Sequence, residues 1–202
     1  MSSTSQRLTS RASSLLLGVA AAILAAAPAK AQGQNALKIE TFTLASPDVS
    51  ANSLMTLKQA FNGFGCTGQN VSPSLTWSGA PAGTKSFAIT VYDSDAPTGS
   101  GWWHWMVYDI PAPVTSIAAG AGAPGKAALP SGAKLGMTDF GVKGWGGPCP
   151  PQGDKAHRYV FTVFALKTAT LDVPATATSA LIGYNLNGNA LAKASFTALF
   201  GR

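Results

Sequence analysis

The sequence predicts a mainly β single domain, and three observations carry that reading. Only 11% of the 202 residues are charged while 46% are hydrophobic, a balance that excludes a disordered chain. The 22 glycines and 13 prolines cut the chain into short runs, and those runs are β-branched or alternating and of strand length. Neither a glycine period nor a heptad is present, which removes collagen and coiled coil.

The first 31 residues read as a leader rather than as part of the fold. Arg7 and Arg11 precede an apolar run from Leu15 to Ala27, and Ala29-Lys30-Ala31 closes it with small residues. That order describes a secretory signal peptide, and the run is shorter than the ~20 residues of a membrane span. Residues 32–202 are expected as one domain, secreted or periplasmic. Cleavage removes three basic residues and no acid, which halves the net charge of +6.

Within that domain Ala36–Leu44 alternates and predicts a strand. A short strand is expected at Ser74–Trp77, and the strongest three at Ser86–Tyr92, Trp103–Ile110 and Tyr159–Leu166. Their near-continuous apolar character reads as central strands covered on both faces. Helix is expected over Ser53–Ala60 and Ser179–Leu199 at the periphery. Ala112–Pro151 is a long excursion rich in Gly, Ala and Pro, a kind of segment usually tied to function. The two cysteines, Cys66 and Cys149, are expected to pair in an oxidising compartment.

Chemistry concentrates at strand borders. The chain has two histidines. His104 sits in a strand, where plain alternation puts it with Met106 and Tyr108, opposite Trp103 and Trp105. His157 opens another strand and shares a face with Tyr159 and Phe161. Asp93 and Asp95 close a third. The loop Gly144–Pro151 combines glycines that permit close backbone approach with prolines that fix it, and can cradle an anion through backbone donors.

Asp93-Ser94-Asp95-Ala96-Pro97, then Trp103-His104-Trp105, then Gly147-Pro148 with His157-Arg158-Tyr159, resembles the phosphatidylethanolamine-binding protein (PEBP) family in its bacterial Raf kinase inhibitor-like branch. The stretch from Asn70-Val71-Ser72-Pro73 onward follows the same pattern. The resemblance implies a PEBP-like fold: a central antiparallel sheet packed with a smaller sheet, and short helices at the side. It also implies a small pocket for phosphate or a phosphorylated head group, lined by Asp93, Asp95, His104, Gly147, Pro148, His157 and Tyr159. Modulation or inhibition of another protein, and a homodimer, come with the same likeness. Where the family usually has proline between the two aspartates, this chain has Ser94, which predicts a looser turn at Asp93.

The expected function is therefore binding rather than catalysis. A hydrolase or metal-dependent enzyme built on the Asp/His cluster is the alternative. It lacks support from sequence, because G-x-S-x-G and H-E-x-x-H are both absent. Ser72, Ser74 and Ser94 are candidate nucleophiles without a signature. No cofactor motif is present. The leader and the dispersed lysines argue against nucleic acid, and no amphipathic membrane helix is evident.

Overall fold

The structure is a computed structural model that describes residues 41–202. The leader, its cleavage site and the first part of the Ala36–Leu44 run lie outside the described residues. Ten strands and one helix follow in the order β1 (Thr43–Ala45), β2 (Asn62–Gly63), β3 (Cys66–Thr67), β4 (Leu75–Ser78), β5 (Ser86–Asp93), β6 (Trp102–Pro111), β7 (Ser116–Ile117), β8 (Lys134–Leu135), β9 (His157–Leu166), α1 (Ser179–Asn189) and β10 (Ala190–Phe200). A five-stranded antiparallel sheet has the order β10-β9-β5-β6-β8; a three-stranded sheet, β1-β4-β7, packs on it. The mainly β expectation, with one large and one small sheet, holds.

The three apolar runs occupy the middle of the large sheet because they have side chains to bury on both faces. Phe87, Ile89 and Val91 of β5, with Val163 and Phe161 of β9, meet Leu75 and Trp77 of β4 in the core between the sheets. Ala88, Met106, Tyr108 and Leu166 bury the opposite face against Ile182 and Leu186 of α1. That helix starts at Thr178, whose side chain accepts a hydrogen bond from the Leu181 amide at 3.2 Å and satisfies one of the open donors of its first turn.

Three expectations are corrected. Helix over Ser179–Leu199 stops at Asn189, and Ala190–Phe200 is instead an 11-residue edge strand paired with β9 from Ala190↔Leu166 to Phe200↔His157. The run Ala194, Phe196, Ala198, Phe200 has a period of two and turns its side chains to the two-sheet core. Ser53–Ala60 is not helical. Part of its backbone is spent on the edge of β10, where the Asn52 and Met55 amides donate to Thr197 and Leu199 at 2.7 Å and Leu199 donates to Ser53 at 2.9 Å.

The third correction concerns β6. Val91 pairs with Trp105 but the next residue, Tyr92, pairs with Trp103, so His104 is an extra residue, a β-bulge. The bulge breaks the alternation. Trp105 points into the two-sheet core, Trp103 packs on the helix side with Met106 and Tyr108, and His104 is freed from that set.

A disulfide joins Cys66 of β3 to Cys149 across 83 positions, with Cα atoms 6.0 Å apart, as expected from the sequence. It ties the β2-β3 hairpin to the Gly/Pro loop. Among the described residues no helix is long and apolar enough to cross a membrane.

The disulfide closes a long loop in the unfolded chain. A Cys66→Ser, Cys149→Ser variant is expected to lose up to about 4 kcal/mol of stability, measured by urea denaturation without reductant; equal midpoints for the two proteins would contradict this.

Candidate functional site

β5 ends where β6 and β9 begin, and the paired residues at that border are Asp93↔Trp102 and Asp93↔Tyr159. A cavity of about 140 Å³ opens there, roomy against the ~10–15 Å³ that one water requires. Asp93, His104, His157 and Tyr159 form its polar floor, while Phe64, Trp102 and Phe140 wall it. Ala96–Thr98 and Cys149–Pro151 complete the rim. Among the described residues no lysine or arginine lines it.

Each floor residue is held from behind. His104 is buried, with 3% of its surface exposed, and its Nδ1 lies 2.6 Å from the Gly146 carbonyl oxygen. A carbonyl only accepts, so Nδ1 carries the proton and Nε2 is left as an acceptor. The Gly146 amide returns a bond to the His104 carbonyl at 2.9 Å. Burial, partly offset by that carbonyl, pushes the imidazole down to about 4.

The second histidine is different. His157 Nδ1 sits 2.8 Å from Asp93 Oδ2, and Nε2 3.4 Å from Asp154 Oδ2. Asp93 Oδ1 accepts from the Asp95 amide at 2.8 Å, a turn closed by a side chain. This bond holds the Asp93 carboxylate across Ser94. The Tyr159 hydroxyl is buried and makes no short hydrogen bond among the described residues, though it faces the Asp93 carboxylate. Burial raises the phenol well above its ordinary value, and the Asp93 carboxylate adds to this.

Asp93, His104, His157 and Tyr159 therefore come together at the cavity, and Asp95, Gly147 and Pro148 lie outside the lining. Asp95 faces away and takes Arg158 through two side-chain bonds, at 2.6 and 2.9 Å. The Arg158 guanidinium holds the Asp95 carboxyl down at about 2. It fastens the end of β5 to the start of β9. Gly147 and Pro148 shape the wall. A Cβ on Gly147 would stand 2.0 Å from the Gln59 carbonyl oxygen, and one on Gly146 would stand 2.3 Å from the Phe140 ring, so the loop runs where only glycine passes.

Asn70 was not expected among the site residues. Its side chain accepts from the Gly147 amide at 2.8 Å and donates to the Trp145 carbonyl at 3.2 Å. It clamps the loop that receives His104. Phe64, Trp102 and Phe140 were also missed; Phe64 and Phe140 stack at 5.9 Å and Trp102 meets Phe140 edge-on at 5.4 Å. Ser72, Ser74 and Ser94 are absent from the lining, and Ser72 Oγ instead accepts from the Gly122 amide at 3.0 Å.

The His104 imidazole sets a pH dependence for stability. Its folded value, about 4, lies below the ordinary His value of 6.5, so between these limits the unfolded chain binds the extra proton. Stability is full above ~6.5 and falls on acidification towards ~4, by on the order of 3 kcal/mol from this group. In His104→Gln that slope should flatten. Urea midpoints across this range in phosphate-free buffer test it, and equal slopes would refute the assignment.

The family described as phosphatidylethanolamine-binding protein matches residues 45–201. The UPF0098 protein YbcL of Escherichia coli K12 is 53% identical over 159 residues, which span 79% of this chain and 87% of YbcL. YbhB of the same organism is 46% identical over 157 residues, 78% of this chain and 98% of YbhB. The crystal structure of E. coli YbcL, described as a new member of the mammalian PEBP family, superposes with a TM-score of 0.78 at 52% identity, covering 80% of this chain and 98% of that one. With the fold, the strand-end His and Asp residues and these relatives in agreement, the chain belongs to the phosphatidylethanolamine-binding protein family.

Proposed function

We propose that this protein is an exported binding protein whose cavity takes the phosphate of a small phosphorylated compound, either free phosphate or a phosphorylated head group. The observation that carries the reading is the unpartnered, buried Tyr159 hydroxyl beside His104 and His157 on the cavity floor. A buried hydroxyl left unpaired costs ~1–3 kcal/mol, and a ligand oxygen accepting from it recovers that cost. The aromatic walls suit a compact group with an organic substituent at the mouth.

The floor favours a singly protonated phosphate. Neutral His104 Nε2 accepts, so it pairs with a P–OH, and the Tyr159 hydroxyl donates to one of the remaining oxygens. Each Asp93 oxygen already accepts a bond from the protein, and the nearby carboxylate favours a monoanion over a dianion. The leader read from Arg7 to Ala31 and the Cys66–Cys149 disulfide both support a location outside the cytoplasm. A modulating role towards another protein rests on the family alone.

Calorimetric titration with inorganic phosphate and with phosphoethanolamine should show proton-linked binding. Above the ligand's second pKa, ~6 for a phosphate monoester, affinity should fall about tenfold per pH unit as the monoanion disappears. Tyr159→Phe should weaken binding by about 5–10-fold, the worth of ~1 kcal/mol, and His104→Ala with His157→Ala should remove it. Wild-type affinity in that double variant would sink the proposal.

A further inference from the structure

The two histidines of the cavity differ in a way that binding alone does not require. Both His157 nitrogens face carboxylates, Asp93 at 2.8 Å and Asp154 at 3.4 Å. His104 has one nitrogen committed, Nδ1 to the Gly146 carbonyl at 2.6 Å. Its Nε2 has no hydrogen-bond partner among the described residues, in a side chain that lines the cavity. A lone pair held open at a fixed orientation is the arrangement of a nucleophile.

We propose that His104 Nε2 is a phosphoryl acceptor, which takes the phosphoryl group of a small acyl phosphate to give a phosphohistidine inside the cavity. The inference rests on the reading of the cavity as a phosphate site and adds a covalent step to it. The groups facing His104 are the Asp93 carboxylate, the His157 imidazole and the Tyr159 phenol, with the Gly146 and Gly147 backbone behind the ring and Phe140 at its edge. At neutral pH burial keeps the His104 ring unprotonated, so the lone pair is available without a general base. The rigid backing through Gly146 prevents the ring from turning away as the phosphoryl group approaches.

The step balances without a further reagent. The Nε2 lone pair attacks phosphorus and forms the N–P bond, while the bond from phosphorus to the acyl oxygen breaks. The carboxylate leaving group departs with that electron pair. The proton stays on Nδ1, donated to the Gly146 carbonyl, so the ring becomes cationic beside a dianionic phosphoryl group, and total charge is conserved. Tyr159 O–H donates to a phosphoryl oxygen, while His157 stays bound to Asp93 and Asp154. This is a stoichiometric modification of the chain.

The test is to incubate the full chain with acetyl phosphate at neutral pH, quench in alkali and record the intact mass. One added phosphoryl group per chain is expected, mapped to His104 by fragmentation, lost in acid, stable in alkali and suppressed by excess inorganic phosphate. His104→Gln should lose the label entirely; the mapping in the unaltered chain decides the matter should that variant not fold. Phosphate titrated into the same preparation separates the two readings. Phosphate binding without labelling overturns the phosphoryl-acceptor role and leaves the binding cavity standing, whereas neither binding nor labelling removes both. A label that maps elsewhere also overturns the proposal.

Discussion

One residue too many in β6 governs the site. Because His104 has no partner on β5, between the pairs Val91↔Trp105 and Tyr92↔Trp103, neighbouring side chains go three ways. Trp105 fills the core between the sheets, Trp103 lies against the helix side, and His104 lines the cavity. A regular strand would keep both tryptophans on one face, and period-two geometry would then place His104 among Met106 and Tyr108. The bulge is thus the device by which a central strand lends one imidazole to a cavity at its end while the sheet remains continuous.

The rest of the cavity is assembled around that imidazole from segments far apart in sequence. The loop carbonyl that receives Nδ1 belongs to Gly146, and the loop is anchored by Trp145, fully buried with its indole N–H donating to the Gln59 carbonyl at 3.2 Å. Asn70 pins the same loop from the other side. Cys149, three residues on, carries the disulfide to the hairpin whose tip bears Phe64. Arg202 adds to this wall, with Nε donating to the Pro150 carbonyl at 2.6 Å and Nη1 to that of Gly65 at 3.0 Å. These ties fix the backbone that carries the cavity wall, which accords with a preformed site.

Much of this was legible from the chain. β5, β6 and β9 stood out because strands buried on both faces read as continuous apolar runs. Asp93, His104, His157 and Tyr159 stood out because scarce polar residues fall at the borders of those runs. Other parts were hidden for physical reasons. β10 was merged with α1 because the alanines and leucines of its alternating run also satisfy a helical reading, and only pairing with β9 selects the strand. Residues 53–60 carry helix-compatible side chains, but their backbone groups are divided between the edge of β10, a local turn at Thr56 and the stretch 69–71. The aromatic walls were invisible because nothing local separates Phe64 and Phe140 from core phenylalanines. Asp95 looked like a pocket residue because a strand-end carboxylate has the same sequence signature whether it faces a ligand or an arginine.

The way Asp93 is held also decides what the cavity refuses. Hard divalent cations such as calcium and magnesium select sites that offer several carboxylate and carbonyl oxygens with room to converge. Here the floor has a single carboxylate, with one oxygen receiving the Asp95 amide and the other the His157 imidazole. A cation would have to unseat an imidazole and open a backbone turn to gain one ligand. A site carrying acid on its floor is by this means a poor fit for the hard cations that acidic pockets often hold, through two hydrogen bonds rather than through net charge.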